Sequence, residues 1–447
     1  MNLKDSTLFK SQNYINGQWC LGKNGTLEVK NPANSEVVAT IANGSGNDAM
    51  EAVEAADVAF KLWAKMPAKQ RSVILRKWYD LIIKHADDLG TIMTLEQGKP
   101  LSEAIGEVKY GAAFVEYYAE ECKRVMGDTI PTTANDRCMQ TYKQPIGVVG
   151  CITPWNFPSA MITRKAGPAL AAGCTVVIKP AAETPLSALA LCELADRAGI
   201  PKGVINVVVG NDSRGIGKVL TEHSKIAKFS FTGSTAVGKT LMSQCSTTVK
   251  KVSLELGGNA PFIVFDDADI ESAVAECIAN KFRNSGQTCV CTNRIFVQEN
   301  IANEFYQKLE AAIGLLKIGD GFEEGITTGP LINDSALNDI DNFVIDAVAN
   351  GAKVLMGGKR HQLGHCFFEP TLLIDVSDDM RVAQEEIFGP IAAIQTFRGE
   401  EEVIRRANDT KYGLAAYFFS RDIGRVMRVS QQLEFGIVCS NSTAFAT

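Results

Sequence analysis

Two short stretches hold residue types and spacings suited to covalent chemistry. In Phe282-Arg-Asn-Ser-Gly-Gln-Thr-Cys289-Val-Cys291 a cysteine follows Gly286, Gln287 and Thr288. An isolated cysteine is more often a small buried hydrophobe. These polar, flexible neighbours instead suit an exposed backbone turn, whose N–H groups can lower a thiol pKa and stabilise an oxyanion. Upstream, Leu254-Glu255-Leu256-Gly257-Gly258-Asn259 puts one carboxylate between apolar neighbours at a strand end. A surface glutamate is the plain reading. The flanking leucines and the Gly-Gly turn favour a partly desolvated carboxylate, which is how a general base is tuned upward.

Cys291 lies two residues beyond Cys289. A disulfide between them requires Cα atoms within about 7 Å and converging Cβ directions, which a mobile loop could supply. Such a pair would be a reversible redox switch, because oxidation removes the attacking thiolate. Packing behind the nucleophile is the other reading, and both stay open here.

Gly233-Ser-Thr-Ala-Val-Gly238-Lys239-Thr240 matches the phosphate-binding P-loop pattern, with the strand Ile226–Phe231 before it and a helix after. Ile263-Val264-Phe265-Asp266 imitates a metal-binding strand end. An NTPase is therefore a rival reading, but it leaves the Cys289 segment unexplained. A helix N-terminus after a strand binds dinucleotide pyrophosphate equally well. His361, His365 and Cys366 have a metal-like spacing inside a Gly-rich polar stretch, where a solvated loop is expected and no metal site.

The elements that position these groups can be read from patterning. Asn47 to Tyr118 is predicted helical, with Ala52, Val53, Ala56, Val58 and Ala59, then Val73, Leu75, Trp78 and Leu81, at helical spacing. Thr129 to Tyr142 turns polar and β-like, as an arm would. From Ile146 on, β-rich runs at Ile146–Ile152, Thr175–Ile178, Val204–Val209, Ile226–Phe231 and Pro261–Phe265 alternate with helical stretches such as Ser159–Ala172 and Pro185–Ala198. That rhythm predicts an α/β fold with a parallel sheet, whose ligands bind beyond the carboxyl ends of the strands. A net charge of −6 without a basic block argues against nucleic acid and anionic membranes as partners. No apolar run reaches the length of a membrane span, and the N-terminus is predicted to be neither signal peptide nor anchor. Twelve cysteines without framework spacing predict reduced thiols and a cytoplasmic location.

Thr153-Pro-Trp-Asn-Phe-Pro158, Phe231-Thr-Gly-Ser234, Glu255-Leu-Gly-Gly258, Gly286-Gln-Thr-Cys289 and Glu386-Ile-Phe-Gly-Pro390 occur in the order found in aldehyde dehydrogenases, and the chain resembles that family from Tyr14 to Val438. Asn31-Pro-Ala33, Glu96-Gln-Gly-Lys-Pro100 and Ile162-Thr-Arg-Lys-Ala-Gly-Pro168 are similar to the succinate-semialdehyde branch. The resemblance implies a Rossmann-type cofactor domain (1–121 and 143–254), an α/β catalytic domain (255–432) and a β oligomerisation arm (122–142 and 433–447). It also implies a homo-oligomer, a dimer or tetramer.

By the same resemblance Cys289 attacks the aldehyde, Asn156 and the Cys289 N–H hold the oxyanion, and Glu255 activates water. Trp155 and Lys179 would meet the adenosine ribose, Gly233 and Ser234 the pyrophosphate. Glu386 would bind the nicotinamide ribose and Phe388 would steady the ring, with Leu256 also at the cofactor. Arg164 and Arg283 would bind the carboxylate of a semialdehyde, a task calling for buried cations. Succinate semialdehyde is the expected substrate, with glutarate semialdehyde as the alternative.

Two departures from the family matter. NAD-specific members often carry Glu three residues after the Lys179 equivalent; here Ala182 stands there and Glu183 one place later, which implies NADP or dual NADP and NAD use. Family members also continue past Gly436-Ile-Val438 through a Gly-rich loop and an intersubunit strand, which Cys439 to Thr447 does not resemble. The expectation is an incomplete arm, and an inactive cofactor-binding scaffold stays open as the alternative to a working enzyme.

Overall fold

The computed structural model describes residues 3–444. The chain groups into two compact units. One comprises the chain up to Asn31 with Glu36–Gln97 and Ala104–Glu255; the other comprises Pro32–Ser35, Gly98–Glu103 and the chain from Leu256 on.

The first unit is built on a seven-stranded sheet. Its order is Lys251–Glu255, Ile226–Thr232, Val148–Ile152, Thr175–Lys179, Ile205–Val207, then Asn13–Ile15 and Gln18–Cys20. The first five strands are parallel, and the last two add antiparallel. Thr175–Lys179 is buried throughout and Val148–Ile152 nearly so, as strands covered on both faces must be. Successive strands run one way from Val148–Ile152 and then restart on its other side with Ile226–Thr232. That reversal is a topological switch point, where open parallel sheets form their ligand crevice.

Helices Ala160–Ala171 and Pro185–Ala198 follow the two central strands. Buried tryptophans hold both: Trp63 Nε1 donates to Leu170 O at 3.1 Å and Trp78 Nε1 to Leu191 O at 3.1 Å. The tryptophans belong to Gly46–Trp63 and Ala68–Lys84, the first two of four helices in the region expected to be helical. Ala52, Val53, Ala56, Leu75 and Trp78 face the core, but Val58 is 65% exposed and Val73 63%. At 100° per residue those two valines fall on the outer side of their helices, so their expected place in the apolar stripe is corrected. Within the segment 122–142 the strands Thr129–Ile130 and Met139–Gln140 pair as an antiparallel ribbon.

The second unit carries another seven-stranded sheet, ordered Lys353–Met356, Thr371–Ile374, Ile391–Phe397, Thr292–Gln298, Ala260–Val264, Ala415–Phe419 and Ile437–Ser440. All neighbours are parallel except the first pair. Apolar clusters cover both faces. The last residues assigned to the arm, 445–447, lie outside the described residues. No helix among the described residues is long and apolar enough to cross a membrane.

Candidate active site

In the first unit, the expected site residues sit at the carboxyl ends of neighbouring parallel strands. Asn156, 4% exposed, and the half-buried Trp155 lie on the loop after Val148–Ile152. Thr153 N donates to Lys179 O at 3.1 Å, tying this loop to the next strand end. Lys179 closes its own strand, is 5% exposed and donates to Pro180 O at 3.3 Å. Burial holds its ammonium pKa below the usual value, against the opposing pull of Glu183 and Asp212. Ala182 is half-buried and Glu183 exposed.

Gly233 N donates to Glu255 O at 3.0 Å, and Ser234 caps the helix Thr235–Ser246, its Oγ accepting from Val237 N at 3.4 Å. Only Gly233 and Ser234 separate strand from helix, so Thr235 to Gly238, which would have to form the phosphate loop, are helical. Asp266 lies in the second unit, paired with Arg425 at 3.3 Å. The NTPase reading is therefore overturned: its phosphate loop is a helix, and its metal-binding strand belongs to the other sheet.

Glu255 ends its strand half-buried. It lines a cavity of about 370 Å³ together with Arg164, Lys165, Lys228 and Ser230. Lys165 points inward, donates to Ser230 Oγ at 3.1 Å and has its pKa pushed down to about 8 by burial, with the Cys151 thiol and Glu255 opposing. The neighbouring Arg164 is exposed and rests over the Phe114 ring, 5.6 Å from its centroid. Arg283, in the second unit, is exposed too. The expectation of buried cations is corrected on both counts: on the helix Ala160–Ala171 it is Lys165 whose side chain takes the inward position.

In the second unit the placement reverses. Leu256 to Gly258, Cys289, and Glu386 with Phe388 precede the amino ends of three adjacent strands, Ala260–Val264, Thr292–Gln298 and Ile391–Phe397. The carboxyl-end rule expected from sequence thus holds for the first sheet and not for the second, because helix-to-strand connections carry Cys289, Glu386 and Phe388, and the link from Lys251–Glu255 to Ala260–Val264 carries Leu256 to Gly258.

The turn before Cys289 contains three successive left-handed residues, Asn284 at φ 50°, Ser285 at φ 56° and Gly286 at φ 75°. For residues with a side chain that conformation costs about 1–3 kcal/mol each, so surrounding contacts must hold it. Asn284 N donates to Glu103 Oε2 at 2.9 Å, and Ser285 Oγ donates to Gly329 O at 2.7 Å. Gln287 Nε2 donates to Asn284 O at 3.1 Å and Pro330 O at 3.3 Å, while its Oε1 accepts from Ile332 N at 2.9 Å. Asn284, Ser285, Gln287 and Thr288 are consequently buried, which corrects the exposed turn expected from their polarity. Cys289 alone emerges, half-buried.

Gly258 is required by close approach to backbone, and Gly257 leaves room for the Glu386 carboxylate. A Cβ on Gly257 would stand 2.3 Å from Glu386 Oε2, and one on Gly258 2.3 Å from Cys289 O. Gly258 N donates to Glu386 Oε1 at 3.0 Å, and burial pushes the Glu386 carboxyl up to about 7 against that bond and the Lys281 charge. Phe388, at φ 54°, is half-buried.

Sequence reasoning missed the pair that fixes Glu386. Asn293 accepts from Ile387 N at 3.0 Å and donates to Glu385 O at 2.8 Å and Asn259 Oδ1 at 2.6 Å. An asparagine leading into the apolar run Ile295–Val297 was the available signal, since a buried amide must find partners.

Cys291 is buried, its Sγ donating to Lys281 O at 3.5 Å and Thr292 O at 3.4 Å. The His361, His365 and Cys366 side chains contact different partners: Leu363 N, Ser35 Oγ and Asp334 Oδ1.

Comparison with known proteins matches this arrangement. A family model described as the aldehyde dehydrogenase family matches residues 19–447. The chain is 53% identical over 443 residues to the NADP(+) succinate-semialdehyde dehydrogenase of Escherichia coli, covering 99% of this chain and 92% of that one. It is also 53% identical over 443 residues, with the same coverage, to the glutarate-semialdehyde dehydrogenase of Pseudomonas aeruginosa. The solved succinate-semialdehyde dehydrogenase of Burkholderia pseudomallei superposes with a TM-score of 0.99 at 53% identity, over 100% of this chain and 93% of that one. By family match, identity and fold together, the chain belongs to the aldehyde dehydrogenase family.

Proposed function

We propose that this protein oxidises succinate semialdehyde to succinate with NAD(P)+ through a covalent intermediate on Cys289. The observation that carries the reading is the buried, left-handed turn that delivers Cys289 beside Gly258, which in turn donates to Glu386. Strained backbone held by a buried polar network is a common mark of a reacting group.

In this reading the Cys289 thiolate attacks the aldehyde carbon, forming a C–S bond and placing negative charge on oxygen. The Asn156 amide and the Cys289 backbone N–H stabilise that charge. When bound, the nicotinamide supplies the acceptor for the hydride that leaves as the carbonyl re-forms. The thioester left on Cys289 is opened by water, whose proton Glu255 takes; the C–S bond breaks, the acid departs and the thiolate returns.

The donor set suits a dinucleotide. Lys179 and Trp155 at strand ends fit an adenosine ribose, and Gly233-Ser234 at the switch point fits a pyrophosphate. Leu256, Glu386 and Phe388 fit the nicotinamide half. Ala182 in place of an acidic residue leaves room for a 2′-phosphate, while Glu183 acts on Lys179 from the next position, so both NADP and NAD are assigned.

Arg164 and Arg283 are assigned to the substrate carboxylate. Because both are exposed, they fix the length of the acyl chain loosely, and glutarate semialdehyde is the second reading. Free thiols at all twelve cysteines suit a cytoplasmic enzyme. Exposed Val125, Met126, Ile130, Met139 and Tyr142 support a homo-oligomer joined through the ribbon segment. Steady-state kinetics with both semialdehydes against both cofactors tests the assignment. A higher kcat/KM for succinate semialdehyde supports it, and a clear preference for glutarate semialdehyde or an uncharged aldehyde overturns it.

A further inference from the structure

We propose that the stretch Glu96–Glu107 is a positioning rack, in which Glu96, Glu103 and Glu107 each hold the backbone of one segment that carries a reacting or cofactor-binding group. The proposal rests on the roles assigned above.

Each bond lies within one unit. Glu107 is 4% exposed, and its Oε1 accepts from Ser159 N at 2.9 Å and Ala160 N at 3.2 Å. Those N–H groups open the helix Ala160–Ala171, directly after the loop bearing Trp155 and Asn156. Glu96, 0% exposed, accepts from Leu186 N at 2.7 Å and Ser187 N at 2.8 Å, at the start of Pro185–Ala198 and directly after the segment from Lys179 to Thr184. Glu103 accepts from Asn284 N at 2.9 Å, the first left-handed residue of the turn that leads to Cys289.

The helices depend on these distant groups. The residues at their own caps, Ser159 and Thr184, make no side-chain capping bond. Free N–H groups at a helix start otherwise need a side-chain acceptor or water, and a carboxylate there also meets the positive end of the helix dipole. Carboxylates drawn from one neighbouring stretch fix where each helix begins, and so where the preceding loop sets its side chains. For the turn, one accepted N–H steadies a backbone that would otherwise relax.

The test replaces each glutamate separately by glutamine in the full-length protein. Three readouts are taken: alkylation of the Cys289 peptide by iodoacetamide without cofactor, affinity for NADP+ by fluorescence, and kcat on butanal. Weakening these hydrogen bonds is expected to change the readouts tied to the segment held by about tenfold in each case. Glu103→Gln slows alkylation and leaves affinity unchanged. Glu96→Gln weakens NADP+ binding and leaves alkylation unchanged. Glu107→Gln lowers kcat and, because the same loop carries Trp155, also weakens NADP+ binding, while alkylation is unchanged. If a glutamine variant does not fold, the aspartate variant, which keeps the carboxyl group and shortens the reach, is read the same way. Losses equal in all three readouts and parallel to melting temperature, or no change in any, would overturn the rack. Butanal and alkylation keep this test separate from the semialdehyde assignment, whose failure would leave these outcomes readable.

Discussion

The carbonyl oxygen of Cys289 sits where a side chain on Gly258 would have to be, 2.3 Å from a Cβ built on that glycine. The neighbour is backbone, so it cannot rotate away. Gly258→Ala must displace the nucleophile, the Glu386 bond or both. Overpacking of this kind costs about 1–3 kcal/mol in stability, and a nucleophile misplaced by an ångström loses about a hundredfold in kcat. Gly106→Ala is the control, because nothing lies within 4 Å of its added Cβ. It is expected to keep wild-type kcat and to gain about 0.5–1 kcal/mol in its helix. Equal kcat for both variants would contradict the close approach.

Cofactor affinity should depend on pH through Glu386. Burial raises its carboxyl to about 7 in the free protein. Only the ionised form accepts two hydroxyl hydrogen bonds from a ribose, so binding competes with the proton. Affinity is expected to rise as pH rises through about 7 and to level off above it. NAD+ is the suitable probe because it lacks a titratable 2′-phosphate. Calorimetric titration from pH 5.5 to 8.5 checks this, and Glu386→Gln should flatten the profile. A profile that is flat in the wild type removes Glu386 from the ribose site.

Local patterning carried much of this fold. The helix Pro185–Ala198 lies where its apolar spacing predicts, and the strand expected at Thr175–Ile178 runs one residue further, to Lys179. Such elements are legible because a covered parallel strand is a continuous apolar run, bounded by polar punctuation. The burial of Gln287 was not legible. Its partners at 330 and 332 are far away in sequence, so its polarity reads as exposure. The same holds for Glu103 and Asn284, whose bond spans 181 residues. Arg164 shows the converse: the motif marks the residue, but only the helix face decides that Lys165 points inward.

Arg283→Ala should discriminate between substrates. Loss of a charged hydrogen bond costs about 1.5–3 kcal/mol, or about ten- to a hundredfold in kcat/KM. The loss is expected on succinate semialdehyde and not on butanal. Because Arg283 is exposed, the lower part of that range applies, with a smaller loss at high salt. Equal losses on both aldehydes would make Arg283 structural.

Burial of Cys291, with its single S–H shared between Lys281 O and Thr292 O, favours packing over thiol exchange. Burial also raises its pKa, so little thiolate is available for exchange. After mild peroxide and then dithiothreitol, wild type and Cys291→Ala should recover activity equally. Full recovery in the wild type alone, with a Cys289–Cys291 linkage in the peptide mass spectrum, would establish the redox switch instead.

The most direct measurement uses Glu255→Gln mixed rapidly with succinate semialdehyde and NADP+. Attack by Cys289 and hydride loss do not need the base, but hydrolysis of the thioester does. The expected result is a burst of about one NADPH per site, followed by a stall, with the succinyl group found on the Cys289 peptide. Steady turnover at the wild-type rate would remove Glu255 as the base, and a burst with no acyl group on Cys289 would contradict the covalent mechanism.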